Sequence, residues 1–169
     1  TQAVSQIIDL DEILNNALEK AMEMLHIRHG GIALLGKDSS RLDLRVFRGY
    51  TDELREIVSR FRMDGGIIAE MLRSKAPVFI ESLADDPRLQ RGVMAEIIRK
   101  EHLKSAMYVP LEAGGKILGI FGVYTENQRV FHPGERQILI TIGHAISTAI
   151  EKARLLQEAS RARALEETD

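Results

Sequence analysis

Apolar residues along the first part of the chain recur at helical spacing. Ile13, Leu14, Ala17, Leu18, Ala21, Met24 and Leu25 step mostly by three and four, the stripe of an amphipathic helix with one buried face. Asp9 with Glu12 has the spacing of a capping box and predicts the helix start; the stripe ends near Ile27, with Gly30-Gly31 as the break. The period then switches to two. Gly31 to Leu35 is a short apolar run, Gly36 to Ser40 is mostly turn residues, and Leu42, Leu44 and Val46 alternate with Asp43 and Arg45. Together they predict a hairpin whose second strand presents Leu42, Leu44 and Val46 on one face.

A helical middle follows. Leu54, Ile57, Val58 and Phe61 predict a helix capped at Thr51 or Asp52, and Asp64-Gly65-Gly66 breaks it. Ile67 to Leu72 reads as a short helix ended by Ser74, Lys75 and Pro77, and Val78-Phe79-Ile80 as a short strand just after the proline. Glu81 to Leu89 is a loop, and Val93 to Glu101 returns to helical spacing. The clearest hairpin is Ala106–Leu111, a turn through Ala113-Gly114-Gly115-Lys116, and Ile117–Thr125. Gly119 and Gly122 inside its second strand predict a bulge or a close backbone approach. A final helix runs from about Gly134 to the end, roughly 50 Å at 1.5 Å per residue, so its last dozen residues should leave the globule. The order predicts an α+β fold: an antiparallel sheet, the terminal helices on one face, the helical middle over the other, and a cavity beneath that middle.

Composition narrows the chemistry. The 169 residues are 44% hydrophobic and 28% charged, as in ordinary globular domains. With 23 basic and 25 acidic residues the formal charge is −2, so no basic field for nucleic acid exists, and no apolar run is long enough to enter a membrane. The absence of cysteine excludes disulfides, thiol nucleophiles and thiolate metal sites. The chain starts at Thr1 without Met and ends in a charged helical pattern, as expected for a segment of a longer protein.

Three segments carry a resemblance to a known family. They are Gly65 to Ala69 with Pro77 to Ile80 and Asp85-Asp86-Pro87-Arg88; Val109-Pro110-Leu111, the Gly-Gly turn and Ile117 to Val123; and Phe131, Glu135 and the helix through Ile142, Ala145, Ala149, Ile150, Glu151, Ala153 and Leu155. In order and spacing, over roughly residues 5 to 157, they resemble the GAF domain. The resemblance implies a six-stranded antiparallel sheet, of which the periodicity supplies five strands, and a small-molecule pocket. It also implies a sensory and dimerising role in cytoplasmic bacterial signalling proteins. The implied organisation is a sensory domain over 1–157 and a helical linker over 158–169. The tail, with Ala164-Leu165-Glu166-Glu167, is similar to the linker before the phosphoacceptor helix of a two-component histidine kinase.

Several family chemistries are not expected here. Bilin attachment and methionine-sulfoxide reduction both need a cysteine. The cyclic-nucleotide motif is broken, with Gln128 after Asn127 and Gly134 before Glu135, leaving Phe131 as a core anchor and Glu135 as a first-turn helix acid. Haem needs an axial ligand. Of His26, His29, His102, His132 and His144, the first two sit at a predicted helix end, and only His102 falls near the predicted cavity. His26 and His29 could share a metal, but no third ligand is evident. Asp85-Asp86 beside Arg88 reads as a turn rather than a catalytic pair.

No catalytic role is therefore assigned to the segment. The expected ligand site is Met71, Phe79, Met94, Ile98 and Tyr108, with Arg91 as an anion partner. Met63, Met71, Met94 and Met107 are either core filler or an adaptable pocket lining. The expected dimer and signalling seam on the last helix is Ile142, Ala145, Ala149, Ala153 and Leu156. The alternative is a structural dimerisation module whose pocket is filled by its own side chains.

Overall fold

The computed structural model describes residues 2–36, 41–58 and 66–167, with side chains from Leu10 onward. The expected contributions of Phe61, Met63 and Asp64-Gly65, and the tip of the first hairpin at 37–40, lie outside the described residues. Helix α1 (Gln2–Leu25) leads into β1 (His29–Leu35) and β2 (Leu42–Arg48). The helical middle is α2 (Asp52–Val58), α3 (Gly66–Ser74), β3 (Val78–Ile80), a 3₁₀ turn at Pro87–Leu89 and α4 (Gly92–Lys100). Strands β4 (Ser105–Ala113) and β5 (Lys116–Thr125) precede α5 (Pro133–Glu167). The sheet order is β2-β1-β5-β4-β3, every pair antiparallel. Among the described residues it has five strands, one fewer than the resemblance implies.

Two cores lie on opposite faces of this sheet. Leu14, Leu18, Ala21 and Leu25 of α1 pack with Leu139, Ile146 and Ile150 of α5 against Ile32, Val109, Phe121 and Val123. On the other face Leu54, Ile57, Ile67, Met71, Met94 and Ile97 of the helical middle cover Ala106, Tyr108 and Ile120. The terminal helices thus share one face and the middle occupies the other, as the strand periodicity requires.

Two bulges set which side chains face which core. Between β1 and β2, Ile32 pairs with Val46 while Ala33 pairs with Leu44, leaving Arg45 as an extra residue. The bulge reverses the parity of β2, so the expectation that Leu42, Leu44 and Val46 share one face is wrong. Leu42 and Leu44 pack on the helical middle, whereas Val46 joins the α1–α5 core. The bulge also aims Arg45 at α1, where its Nη2 donates to Asp11 Oδ1 at 2.6 Å. The second bulge lies in β5, where Leu111 pairs with Gly119 but Glu112 with Ile117. A Cβ on Gly119 would stand 2.2 Å from the Ala33 carbonyl oxygen, so this glycine answers to both expected reasons, a bulge and a close approach. Gly114 and Gly115 take φ of 58° and 77°, as a two-residue type I′ hairpin turn requires.

The helix ends differ from those expected. α1 begins at Gln2, upstream of Asp9, because Val4, Ile7 and Ile8 continue the apolar stepping and the capping spacing is overridden. It stops at Leu25, not at Gly30-Gly31, which lie inside β1. The stop is a Schellman turn: His26 takes φ 54°, its N–H donates to the Glu23 carbonyl, and the Ile27 N–H donates to the Met22 carbonyl at 2.9 Å. α4 ends the same way, with His102 at φ 54° and the Leu103 N–H on the Ile98 carbonyl. Ile27 and Leu103 are then buried, which supplies the hydrophobic contact of the motif.

Arg129 joins the two terminal helices. Its Nη2 donates to the Leu25 carbonyl at the C-terminus of α1 and to Glu135 in the first turn of α5. Each contact places a charge at the favourable end of a helix dipole. Glu135 Oε1 also accepts from the His132 N–H at 3.1 Å, half of a capping box, with Pro133 at the first helical position. Burial pushes the Glu135 carboxyl up, but the His132 N–H and Arg129 together outweigh it and hold it below its usual value.

Candidate functional site

A cavity of about 80 Å³ lies between the sheet and the helical middle. Its floor is Gly31 and Ala33 of β1, Leu42 and Leu44 of β2, and Ile120 and Gly122 of β5. Its roof is Leu54 and Val58 of α2, Ile67, Ile68 and Met71 of α3, and Met94 and Ile97 of α4. Three tyrosines close it: Tyr50 just after β2, Tyr108 on β4 and Tyr124 on β5. Among the described residues no charged side chain lines it.

The strand register explains the tyrosines. Tyr108 pairs with Gly122, and a Cβ there would come 3.1 Å from the Tyr108 ring. Glycine thus makes room for the phenol. Tyr124 is opposite the small Ala106, and the Tyr108 and Tyr124 rings meet edge to face at 5.4 Å. Tyr50 meets Tyr124 edge to face at 6.0 Å, and the His29 ring lies 5.4 Å from Tyr50. His29 is buried in β1, not at the helix end expected of it, and its Nε2 is 2.9 Å from Glu126 Oε1.

The hydroxyls of Tyr50 and Tyr108 are buried; that of Tyr50 has no hydrogen-bond partner among the described residues, and that of Tyr108 interacts with the Tyr124 hydroxyl. Burying a hydroxyl without a partner costs about 1–3 kcal/mol, a cost that falls on Tyr50. All three phenols stay protonated at neutral pH. Burial, then the neighbouring Tyr124 and the Glu101 charge, pushes Tyr50 well up; burial followed by Tyr124 does the same for Tyr108. Burial raises Tyr124 to about 12, with the Tyr108 hydroxyl working against it.

Of the six residues expected to bind ligand, the structure brings three together: Met71, Met94 and Tyr108 line the cavity. Phe79 is on the opposite face, because β3 alternates and sends Val78 and Ile80 to the middle. Its ring packs against the α1–α5 core under the Arg136 guanidinium, 4.5 Å from the ring centre. Ile98 is half-buried beside the same core as the cavity without reaching it. Arg91 is exposed at the N-terminus of α4 and does not line the cavity. Met107 is core on the far face. Tyr50 and Tyr124 escape the sequence analysis; the pairing of Tyr124 with Ala106 across the hairpin is the signal that points to the latter.

The remaining candidates are structural. Asp86 caps the 3₁₀ turn by accepting from the Arg88 N–H at 2.9 Å, and Arg88 bridges Asp86 and Glu70 at 2.6 and 2.7 Å. That ties the Asp85-Asp86-Pro87-Arg88 turn to α3. Among the described residues no three His, Asp or Glu side chains are placed to hold a metal. On α5 the buried stripe is Leu139, Gly143, Ile146 and Ile150, and the expected seam lies beside it. Ile142, Ala149 and Ala153 are half-buried, while Ala145 and Leu156 are exposed. From Arg154 to Glu167 every residue is exposed, with Leu155 at 57% exposure, although Arg154, Gln157, Ser160 and Arg161 line a groove with Leu10, Leu34, Leu35, Asp43 and Arg45. Among the described residues no helix is long and apolar enough to cross a membrane.

Comparison with known proteins gives a concordant picture. A family model described as GAF domain matches residues 8–151. A Nif-specific regulatory protein of Azospirillum lipoferum is 25% identical over 116 residues, 69% of this chain and 18% of that protein. The chain therefore spans a small part of that relative's length. Among solved structures, a domain described as belonging to a two-component sensor histidine kinase protein of Sinorhizobium meliloti superposes with a TM-score of 0.72. It is 19% identical and the match covers 89% of this chain and 95% of that one. A GAF domain/HD domain protein of Geobacter sulfurreducens superposes at 0.75 with 13% identity, over 87% and 95% of the two chains. At these identities the structures show a shared fold.

Proposed function

The chain belongs to the GAF domain family, and on that premise we propose that it is a ligand-sensing, dimerising regulatory domain working in the cytoplasm. It carries out no reaction itself. A small molecule enters the cavity under the helical middle, and the altered packing is relayed through the sheet to α1 and α5. The observation that carries this reading is the cavity of about 80 Å³ between the sheet and the helical middle, lined by aliphatic, thioether and tyrosine side chains.

The exposed end of α5 supports the second half of the reading. Leu155 and Leu156 are exposed near the end of α5, and alanines at 145, 149 and 153 permit close approach of a second helix. A parallel pair of such helices is a suitable connection to an output module. The sensor-kinase and Nif-regulator likenesses support an output of the histidine-kinase or transcription-regulator kind. Any bias so transmitted is bounded by the ligand's preference for one packing over the other.

Thermal melts of the 169-residue chain against nucleotides, amino acids, oxoacids and small neutral aromatics test the sensing role. A saturable rise in melting temperature with one class is expected. A melting temperature fixed across the whole panel refutes sensing and leaves the ligand-free dimerisation module. Light scattering of the full chain and of one ending at Gln157 tests the seam; a monomer at high concentration in both forms refutes it.

A further inference from the structure

We propose that Ser105 and Arg129 carry movement of the cavity roof to the junction of α1 and α5. This rests on the sensing role above and gives its relay a definite route at one end of the sheet. The route starts beside α4, whose Met94 and Ile97 roof the cavity. Gln90, two residues before α4 begins, reaches back with Nε2 to the carbonyls of Ala84 and Asp86 at 2.8 and 2.9 Å. The start of α4 is thereby tied to the turn that precedes it. Leu83, fully buried in the core of the helical middle, donates its N–H to the Lys104 carbonyl at 2.8 Å. The segment 81–90 is thus held by the roof on one side and by the start of β4 on the other.

Ser105 passes the constraint on. It is fully buried, and its one hydroxyl serves two segments: it donates to the Glu81 carbonyl at 2.5 Å and accepts the Arg129 N–H at 2.9 Å. A hydroxyl makes both bonds at once, which an apolar side chain of similar size cannot. Arg129 then divides the path. Its backbone is held by Ser105, while its Nη2 donates to the carbonyl of Leu25, the last residue of α1, at 3.1 Å and to Glu135 in the first turn of α5. The guanidinium also stands 5.3 Å from the ring centre of the buried Phe131, which narrows the positions open to it. A shift of Glu81 therefore acts on the Arg129 backbone and, through its side chain, on both helix ends together. Removing the Ser105 hydroxyl breaks the chain at a buried point, where bulk water does not replace the lost bonds.

The test is amide hydrogen exchange of the 169-residue chain and of Gln90→Ala, Ser105→Ala and the double variant. Two amides report on the junction: Ile27, which bonds the Met22 carbonyl at the end of α1, and Arg136, which bonds the His132 carbonyl at the start of α5. Rates are taken relative to Val123, in a strand paired on both sides, so that a general loss of stability cancels. Gln90→Ala, a change in the roof's tether, should speed exchange at both amides by about threefold in the parent background. In the Ser105→Ala background it should add nothing. Arg129→Met keeps a stem over Phe131 and drops the guanidinium; it should block the effect at both amides in the same way, and it serves where Ser105→Ala does not fold. Unchanged exchange at Ile27 and Arg136 in Gln90→Ala overturns the proposal, as does an equal acceleration in every background. No ligand enters the test, so the two readings fail separately. A ligand response in the melts without this coupling keeps the sensor and discards the route; coupling without any ligand response keeps the route and discards the sensor.

Discussion

Gly143 decides how closely α5 lies on the sheet, and replacing it by alanine sets two effects of opposite sign against each other. Alanine is the better helix former by about 1 kcal/mol, so in an exposed helix Gly143→Ala would stabilise. Here the new methyl would stand 2.9 Å from Val109 Cγ1. Val109 cannot easily yield: it is β-branched, buried, and in a strand paired on both sides. Overpacking of this kind costs about 1–3 kcal/mol, which offsets the propensity gain and leaves a net loss of up to about 2 kcal/mol. Urea unfolding of parent, Gly143→Ala, Val109→Ala and the double variant, all at one protein concentration, measures this. In the Val109→Ala background the obstructing methyl is gone, and Gly143→Ala should become neutral or stabilising by up to about 1 kcal/mol. A Gly143→Ala variant more stable than the parent, or the same change in both backgrounds, refutes the argument that contact with Val109 fixes the helix position.

Leu18→Ala should cost about 2–5 kcal/mol in the same assay, because Leu18 is fully buried between α1, α5 and the sheet; a loss under about 1 kcal/mol would mean the α1–α5 core is loosely packed. Gly115→Ala should cost about 1–2 kcal/mol, since φ of 77° is a left-handed conformation, and Gly115→Asn should recover part of it. Asp86, held below its usual value of 3.8 chiefly by the Arg88 side chain, contributes stability that is complete above that unfolded value and is lost as pH falls through the lower folded one. Asp86→Asn should therefore destabilise at neutral pH, and the gap to the parent should close in strong acid. A gap that stays constant with pH would show that the Arg88 pairing does not set the Asp86 titration.

Most of the architecture is legible in the residues because burial on two faces forces a strand to alternate and a helix to step by three and four. Val78-Phe79-Ile80 and the Gly114-Gly115 hairpin are read to the residue or nearly so. What escapes is decided by single residues that break a period. The extra Arg45 in β2 reverses which of Leu44 and Val46 faces which core, and nothing in an alternating string announces a bulge. The two left-handed helix ends fall on exposed histidines where glycine is the usual signal, so the sequence places His26 at a helix end without showing the turn that closes it, and does not show that His102 closes α4. Half of the expected cavity lining is right for the same reason. Met71, Met94 and Tyr108 follow from helix and strand faces, whereas placing Phe79 requires the parity of a three-residue strand. Tyr50 lies in no element at all, and only the closed fold carries it over the floor of β1 and β5.

The free end of α5 has a geometric consequence of its own. From Arg154 to Glu167 the helix projects about 20 Å beyond its last buried turn, at 1.5 Å per residue. Over that length a tilt of about 5° would swing the tip by nearly 2 Å. A rotation that moves Ile150 by a fraction of an ångström would thus displace Glu167 several times further.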